Sequence, residues 1–318
     1  MMQRSEIPVI GSGSNNVASP LASPRRSRMR RDRLREAATP ICFLLPAAAL
    51  VAVFLLWPFL RTLFLSFTDS NGTSPGKLIG VENYTSLLSD PVLSDSLLNT
   101  IYWVVGTLVL PVGIGLLIAV ISFDLPAGAF YRLPFLIPYA LSGTAIGVMW
   151  EFMLRSRGAA NGVLGAVGLS SLEHKWLLDT PLNTWSMIIA STWQSVGVSV
   201  LLFLVGLQVI PRDPIEAARL DGAEGFTLFR TMTFPLLRPM TIVVVGISLV
   251  NSLKTFDIIW VMTQGGPYRS SETLAVTMYR ETFLLFRHGY GSSIAVVLSA
   301  IVLAVSWIYL SRTLRPAS

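Results

Sequence analysis

Charge is scarce in this chain. Asp, Glu, Lys and Arg supply 13% of its 318 residues while hydrophobic residues reach 52%, and an ordinary soluble domain carries about 25% charge. That balance excludes a soluble globular domain. Cysteine is scarcer still: Cys42 stands alone, so no internal disulfide forms, and it reads as a small packing residue. With two histidines, His174 and His288, there is no cluster of soft ligands, and no metal site is expected. A phosphate loop of the form G-x-x-x-x-G-K-S/T is also missing, so ATP is not held here in the usual way.

What is present is a series of apolar runs. Each is roughly 20 residues long, enough to cross a hydrocarbon core of about 30 Å as a helix. Spans are expected at about 40–67, 98–122, 130–154, 184–209, 236–262 and 291–311. Gly and Pro inside them (Pro46, Pro58, Pro111, Gly113, Gly115, Pro134, Pro138) are tolerated in a bundle, where neighbours satisfy freed backbone groups and glycines permit close helix approach. The fold class is therefore all-α, a polytopic membrane protein with six transmembrane helices.

The net charge of +6 does not point to nucleic acid, because the basic residues sit beside the spans. Arg25, Arg26, Arg28, Arg30, Arg31, Arg33 and Arg35 crowd the segment before the first run. A basic stretch ahead of ICFLLPAAALVAVFLLWPFL resembles a signal peptide, but the start lies far from the run and the run is long enough to span, so an uncleaved helix is expected. Six spans put both ends on one side, with about 15 Lys and Arg on that side and about 8 opposite. Basic residues stay in the cytoplasm. The expected organisation is a disordered basic cytoplasmic tail over 1–39, a transmembrane domain over 40–312 with its core at about 98–311, and a short cytoplasmic tail over 313–318. Segments 68–97, 155–183 and 263–290 then face outward, and 210–235 faces the cytoplasm.

The stretch PRDPIEAARLDGAEGFTLFRTMTFPLLRP, residues 211–239, is too structured to be a spacer. Asp213 is a good N-cap, Pro214 suits the first helical position, and Glu216 stands three residues after the cap, predicting a helix from Pro214. Gly222 offers a turn. A second piece is predicted over about 224–233, with Phe226, Phe229 and Arg230 sharing a face and Pro235 closing it. By composition alone this could be an amphipathic connector on the membrane surface.

Its residues resemble the coupling loop of binding-protein-dependent ABC transporter permeases, whose pattern runs Glu-Ala-Ala, Asp-Gly-Ala, then hydrophobic-x-hydrophobic-Pro. Here these are Glu216, Ala217, Ala218, Asp221, Gly222, Ala223, then Met232, Phe234 and Pro235. The resemblance extends from about residue 40. Asn99-Thr100, YRLPFLIPYALSGTAIGVMW at 131–150, FDIIWVMTQGGPYRSSETLAVTMYRETF at 256–283 and HGYGSSIAV at 288–296 are similar to the carbohydrate-uptake class. Thr263, Gly265, Gly266 and Pro267 resemble the maltose-transporter-like member of the permease pair. The resemblance implies a type I importer permease in the bacterial plasma membrane, with no cofactor of its own. The implied partners are a second, different permease, an ABC ATPase dimer holding ATP and Mg, and an extracytoplasmic solute-binding protein. It further implies that the first loop helix docks into the ATPase, with Glu216, Ala217, Ala218, Asp221, Gly222, Ala223 and Pro235 forming that surface.

Residues along the solute path are read from polarity. Ionisable groups in a span are costly and usually face a cavity or partner, which singles out Lys254 and Asp257, placed three residues apart to pair on one helical face. Such a pair serves structure as readily as sugar contact. Asn251 on that face and Gln194 beside Trp193 can bond hydroxyls. Trp150, Trp193 and Trp260 are stacking surfaces or interface anchors. An ATP-independent secondary transporter or channel is the alternative, but it leaves 211–239 unexplained and no inverted repeat is evident. A membrane-embedded enzyme would need a nucleophile or a metal set within the spans; Ser and Thr are present, but no His or paired carboxylate stands at usable spacing.

Overall fold

The computed structural model describes residues 43–74 and 76–313. The expected tail over 1–39, Cys42 and residues 314–318 lie outside them. The chain divides into a unit ending at Phe59 and one running from Leu60. Four helices are long and apolar enough to cross a membrane: α1 (Phe43–Leu65), α3 (Pro91–Phe123), α7 (Leu182–Val209) and α13 (His288–Thr313). Two bent pairs, each counted as one span, bring the number of candidate spans to six. They are α4 (Gly128–Leu136) running through a 3-10 turn to α5 (Gly143–Leu154), and α9 (Gly225–Leu236) with α10 (Arg238–Leu253). Short helices α2 (Glu82–Leu88), α6 (Ala159–Ala166), α8 (Arg212–Leu220), α11 (Asp257–Met262) and α12 (Leu274–Tyr279) connect them. Among the described residues there is no strand, only one bridge between Thr68 and Leu78.

Both bends correct the straight spans read from the sequence. The third span turns by 102°. Pro138 has no N–H to continue the ladder, Leu141 is extended, and Ser142 restarts the helix by accepting from the Ala145 N–H at 3.2 Å. α9 and α10 meet at 73° at Leu237, where Pro239 opens the second of them. That helix stops at Leu253, not 262. Hydroxyls take its last carbonyls, Ser252 Oγ donating to Leu249 O at 2.8 Å and Thr255 Oγ1 to Asn251 O at 3.1 Å, an alternative to the helical ladder. The second span starts earlier than its apolar run, at Pro91, because Asp90 caps the Val92 N–H at 2.9 Å.

In the unit from Leu60, α3 and α7 pack along their length. Trp103, Ile146, Met187, Ile188 and Ile259 form one buried cluster and Val112, Val200, Phe203, Leu237 and Val244 another. A β-carbon at Gly115 would sit 2.4 Å from Ser199 Cβ, so the two backbones approach as closely as a small residue allows. Gly113, by contrast, has nothing within 4 Å of that position. Gly115→Val is expected to destabilise by about 1–3 kcal/mol through overpacking, and Gly113→Ala to be neutral. Thermal unfolding in detergent checks both, and an unchanged midpoint for Gly115→Val would show that the helices separate without cost.

Candidate functional site

The loop between the fourth and fifth spans is built as two helical pieces. α8 opens at Arg212 with Pro211 as N-cap and no side-chain cap bond. The predicted start at Pro214 is therefore two residues late, and Asp213 and Glu216 do not form a capping box. The fixed φ of Pro211 sets the entry two residues earlier, leaving Asp213 in the first turn, where its charge favours the free amides. The C-terminal end is sharply defined. Gly222 sits at φ +85°, its N–H bonds Arg219 O at 3.0 Å, and the Ala223 N–H reaches Ala218 O at 2.9 Å. This is the paired closure of a left-handed C-terminal cap, which glycine adopts without strain. Asp221 is the last residue before the turn.

Glu216, Ala217, Asp221 and Gly222 are exposed, while Ala218 and Ala223 are half-buried. The second piece runs through Pro235 instead of ending there. A wide π turn over Phe229–Thr233 precedes the proline, with the Phe234 N–H bonded to Phe229 O. That turn accommodates the ring and its missing N–H. Phe229 lies between Phe226 and Phe234, ring centres 6.2 and 5.8 Å away. Arg230 is exposed. A cavity of about 770 Å³ opens beneath α8, lined by Phe123, Asp124, Gln208, Arg212, Glu216 and Phe229 among others.

The path candidates fall into three groups. Gln194 and Asp257 meet at the break in the third span: Gln194 Nε2 donates to Leu141 O at 2.7 Å. A β-carbon on Gly143 would lie 3.8 Å from Asp257 Cβ and 3.9 Å from Gln194 Oε1. Trp150 and Trp193 pack edge to face at 6.1 Å, and the Trp150 indole N–H is buried without a partner among the described residues. Trp260 stands apart, stacked on Phe256 at 5.7 Å and against Tyr279 at 4.9 Å. Lys254 and Asp257 do not share a helix face. Lys254 ends α10 and Asp257 begins α11, and no ion pair joins them among the described residues. Lys254 and Asn251 are both exposed.

Residues 17–317 match the family model described as binding-protein-dependent transport system inner membrane component. The chain belongs to that family. The probable ABC transporter permease protein YurN of Bacillus subtilis is 35% identical over 272 residues, covering 84% of this chain and 93% of the relative. The sulfoquinovosyl glycerol transport system permease protein SmoG of Agrobacterium fabrum is 33% identical over 275 residues, covering 85% and 88%. Among solved structures, a bacterial ABC transporter involved in import of the acidic polysaccharide alginate aligns with a TM-score of 0.79 at 18% identity, over 92% of this chain and 100% of that one. That likeness shows the fold.

One part of this permease was not singled out from its sequence. The turn around the Thr-x-Gly-Gly-Pro element is held by buried polar side chains. Asn99 Nδ2 donates to Ser270 O and Glu272 O at 2.8 and 3.1 Å, and Ser271 Oγ donates to Gly266 O at 2.7 Å. Glu272 is wholly buried and Glu281 almost so. Arg269 bridges the two carboxylates at 3.0 Å each, Arg280 bonds Glu272, and Arg287 bonds Glu281 at 3.1 Å. Burial opposes the charge on Arg269, but its bonds to Glu272 and Glu281 and their charges outweigh that and hold its pKa above the ordinary value. The usable signal was two acids, Glu272 and Glu281, with three arginines, Arg269, Arg280 and Arg287, at helical spacing over the stretch 269–287. Glu151, by comparison, pairs with Arg155 at 2.7 Å in a partly exposed position.

Proposed function

We propose that this permease is one half of the pathway of an ATP-driven importer for a sugar or sugar-like solute, delivered by an external binding protein. Its partner in the membrane is a second, different permease, and an ABC ATPase dimer supplies ATP and Mg chemistry from the cytoplasm. The observation that carries this reading is α8. It is a short exposed helix, ended by the Gly222 turn, offering Glu216, Ala217 and Asp221 with no side-chain partner among the described residues. A helix that seats in a groove needs small side chains on its contact face, and closure of the partner then moves the spans as a rigid body. Pro235 and the Phe226–Phe229–Phe234 stack support it from behind.

In this reading both termini and the 211–239 loop are cytoplasmic, and segments 68–97 and 263–290 meet the binding protein. Solute hydroxyls are met by Gln194, Asp257, Asn251 and Lys254, and sugar faces by Trp150, Trp193 and Trp260. The sulfoquinovosyl glycerol of one relative and the alginate of a transporter with the same fold make a polyhydroxylated solute the expected class. A tagged chain drawn from mild detergent is expected to carry an ATPase and a second six-span permease, and that assembly to hydrolyse ATP. A chain that purifies alone, transports after reconstitution and ignores ATP would instead be a secondary transporter.

A second prediction concerns the path. Gln194→Ala and Asn251→Ala are each expected to raise the solute concentration for half-maximal uptake by roughly five- to tenfold, the loss of one or two hydrogen bonds. Unchanged concentration dependence at equal expression would remove that residue from the path.

A further inference from the structure

Arg280 touches three elements at once. Its Nε bonds the buried carboxylate of Glu272, its Nη2 bonds the carbonyl of Gln264 in the outer turn, and its guanidinium lies 5.7 Å from the Trp260 ring centre. The turn it grips is backed by rigid groups. Gln264, Gly265, Tyr268 and Arg269 all have positive φ, at 51°, 82°, 50° and 68°, a conformation only a well-determined loop sustains at non-glycine positions. A β-carbon at Gly265 would sit 2.4 Å from Glu272 Cγ, so the turn presses directly on the buried acid. At its apex Tyr268 is fully exposed. On the other side, Trp260, Phe256 and Tyr279 pack against one another as an aromatic triad, and Phe256 adjoins Asp257 at the break that holds Gln194.

We infer that Arg280 is a positioning residue that relays binding-protein docking on the Gln264–Arg269 turn to the aromatic wall of the solute path. The inference rests on the proposed importer role, in which segment 263–290 receives the binding protein. A planar fork can bond a carboxylate and a carbonyl while stacking on a ring, which a lysine ammonium cannot do. Docking that shifts the Gln264 carbonyl therefore shifts the guanidinium, and with it the ring beneath. The other basic members of the cluster lack this reach: Arg269 bonds only the two acids, and Arg287 bonds Glu281 and covers Tyr290 at 4.3 Å.

The test uses the complete transporter in lipid nanodiscs and its solute-binding protein, titrated while ATP hydrolysis is followed. Arg280→Lys keeps a cation beside Glu272 but loses the carbonyl bond and the ring contact. It is expected to assemble normally, to keep its basal hydrolysis and its half-saturating binding-protein concentration, and to lose maximal stimulation by roughly tenfold, within the usual range for coupling between sites. Arg287→Lys, which preserves the turn and the ring contact, is expected to be stimulated like the wild type. Full stimulation of Arg280→Lys would overturn the relay. So would a shift in half-saturation with the maximum intact, since Arg280 would then only shape the docking surface. Equal losses in Arg280→Lys and Arg287→Lys would also overturn it, by assigning the effect to the ion cluster as a whole. A wild-type assembly that the binding protein does not stimulate would instead defeat the importer reading, and the relay with it.

Discussion

Gly222→Asp and Glu216→Lys are each expected to leave the permease inserted and assembled with the second permease, yet to lower solute uptake about tenfold or more while ATP hydrolysis persists. The chain itself gives neither substitution a strong reason to fail. No atom lies within 4 Å of a β-carbon at Gly222, so space is open and only the positive φ opposes a side chain. That local cost is about 1–2 kcal/mol, and aspartate is among the residues that tolerate the region best. Glu216 is exposed and makes no side-chain bond or ion pair among the described residues. Replacing it by lysine adds a cation between Arg212 and Arg219, worth a few tenths of a kcal/mol against the helix. Effects of this size leave folding nearly intact. A large loss of transport at normal expression must then come from a surface that packs against α8, where one residue in a desolvated contact carries about 2 kcal/mol or more. Uptake and hydrolysis in the same proteoliposomes decide the matter, and normal uptake by both variants would count against docking.

Much of this arrangement was legible from residue types. Apolar runs of spanning length pointed to the candidate spans, because in lipid the backbone has few options besides a helix. The turn at Gly222 was legible for a similarly local reason, since a glycine after a short amphipathic helix meets a need for positive φ. Helix boundaries set by one side chain were not. Whether Pro211 or Asp213 starts α8 depends on where the chain leaves α7, and Pro235 was read as a stop because a π turn that absorbs a proline leaves no composition signal. The separation of Lys254 from Asp257 was missed for the same kind of reason. Thr255 and Ser252 end the helix between them with hydroxyl bonds that an apolar pattern does not record. The Glu272 cluster was the hardest to see, because its members are brought together by the fold of the 263–272 turn and by Asn99, which lies more than 170 residues earlier.

Glu272→Gln is expected to have the largest effect on stability in the chain, lowering the unfolding midpoint and cutting the yield of folded protein severalfold. The carboxylate is fully enclosed and accepts from Arg269 Nε and Nη2 at 3.1 and 3.0 Å, from Thr277 Oγ1 at 2.8 Å and from Arg280 Nε. An amide has one oxygen and no charge to offer, so two guanidinium groups would converge on a site that no longer neutralises them. Breaking a buried pair from one side costs about 3–5 kcal/mol, because the remaining charge is left without compensation. The matched surface substitution is Glu151→Gln, whose partner Arg155 is 53% exposed; an exposed pair is worth about 0–1 kcal/mol. Measured side by side in detergent, the two variants should differ by several degrees at least. Glu272→Asp supplies the third point. It keeps the charge on a shorter arm, so partial recovery is expected if the loss comes from neutralising Arg269 and Arg280. If Glu272→Gln melts with the wild type, the arginines find their compensation elsewhere, and the 263–272 turn does not depend on this carboxylate.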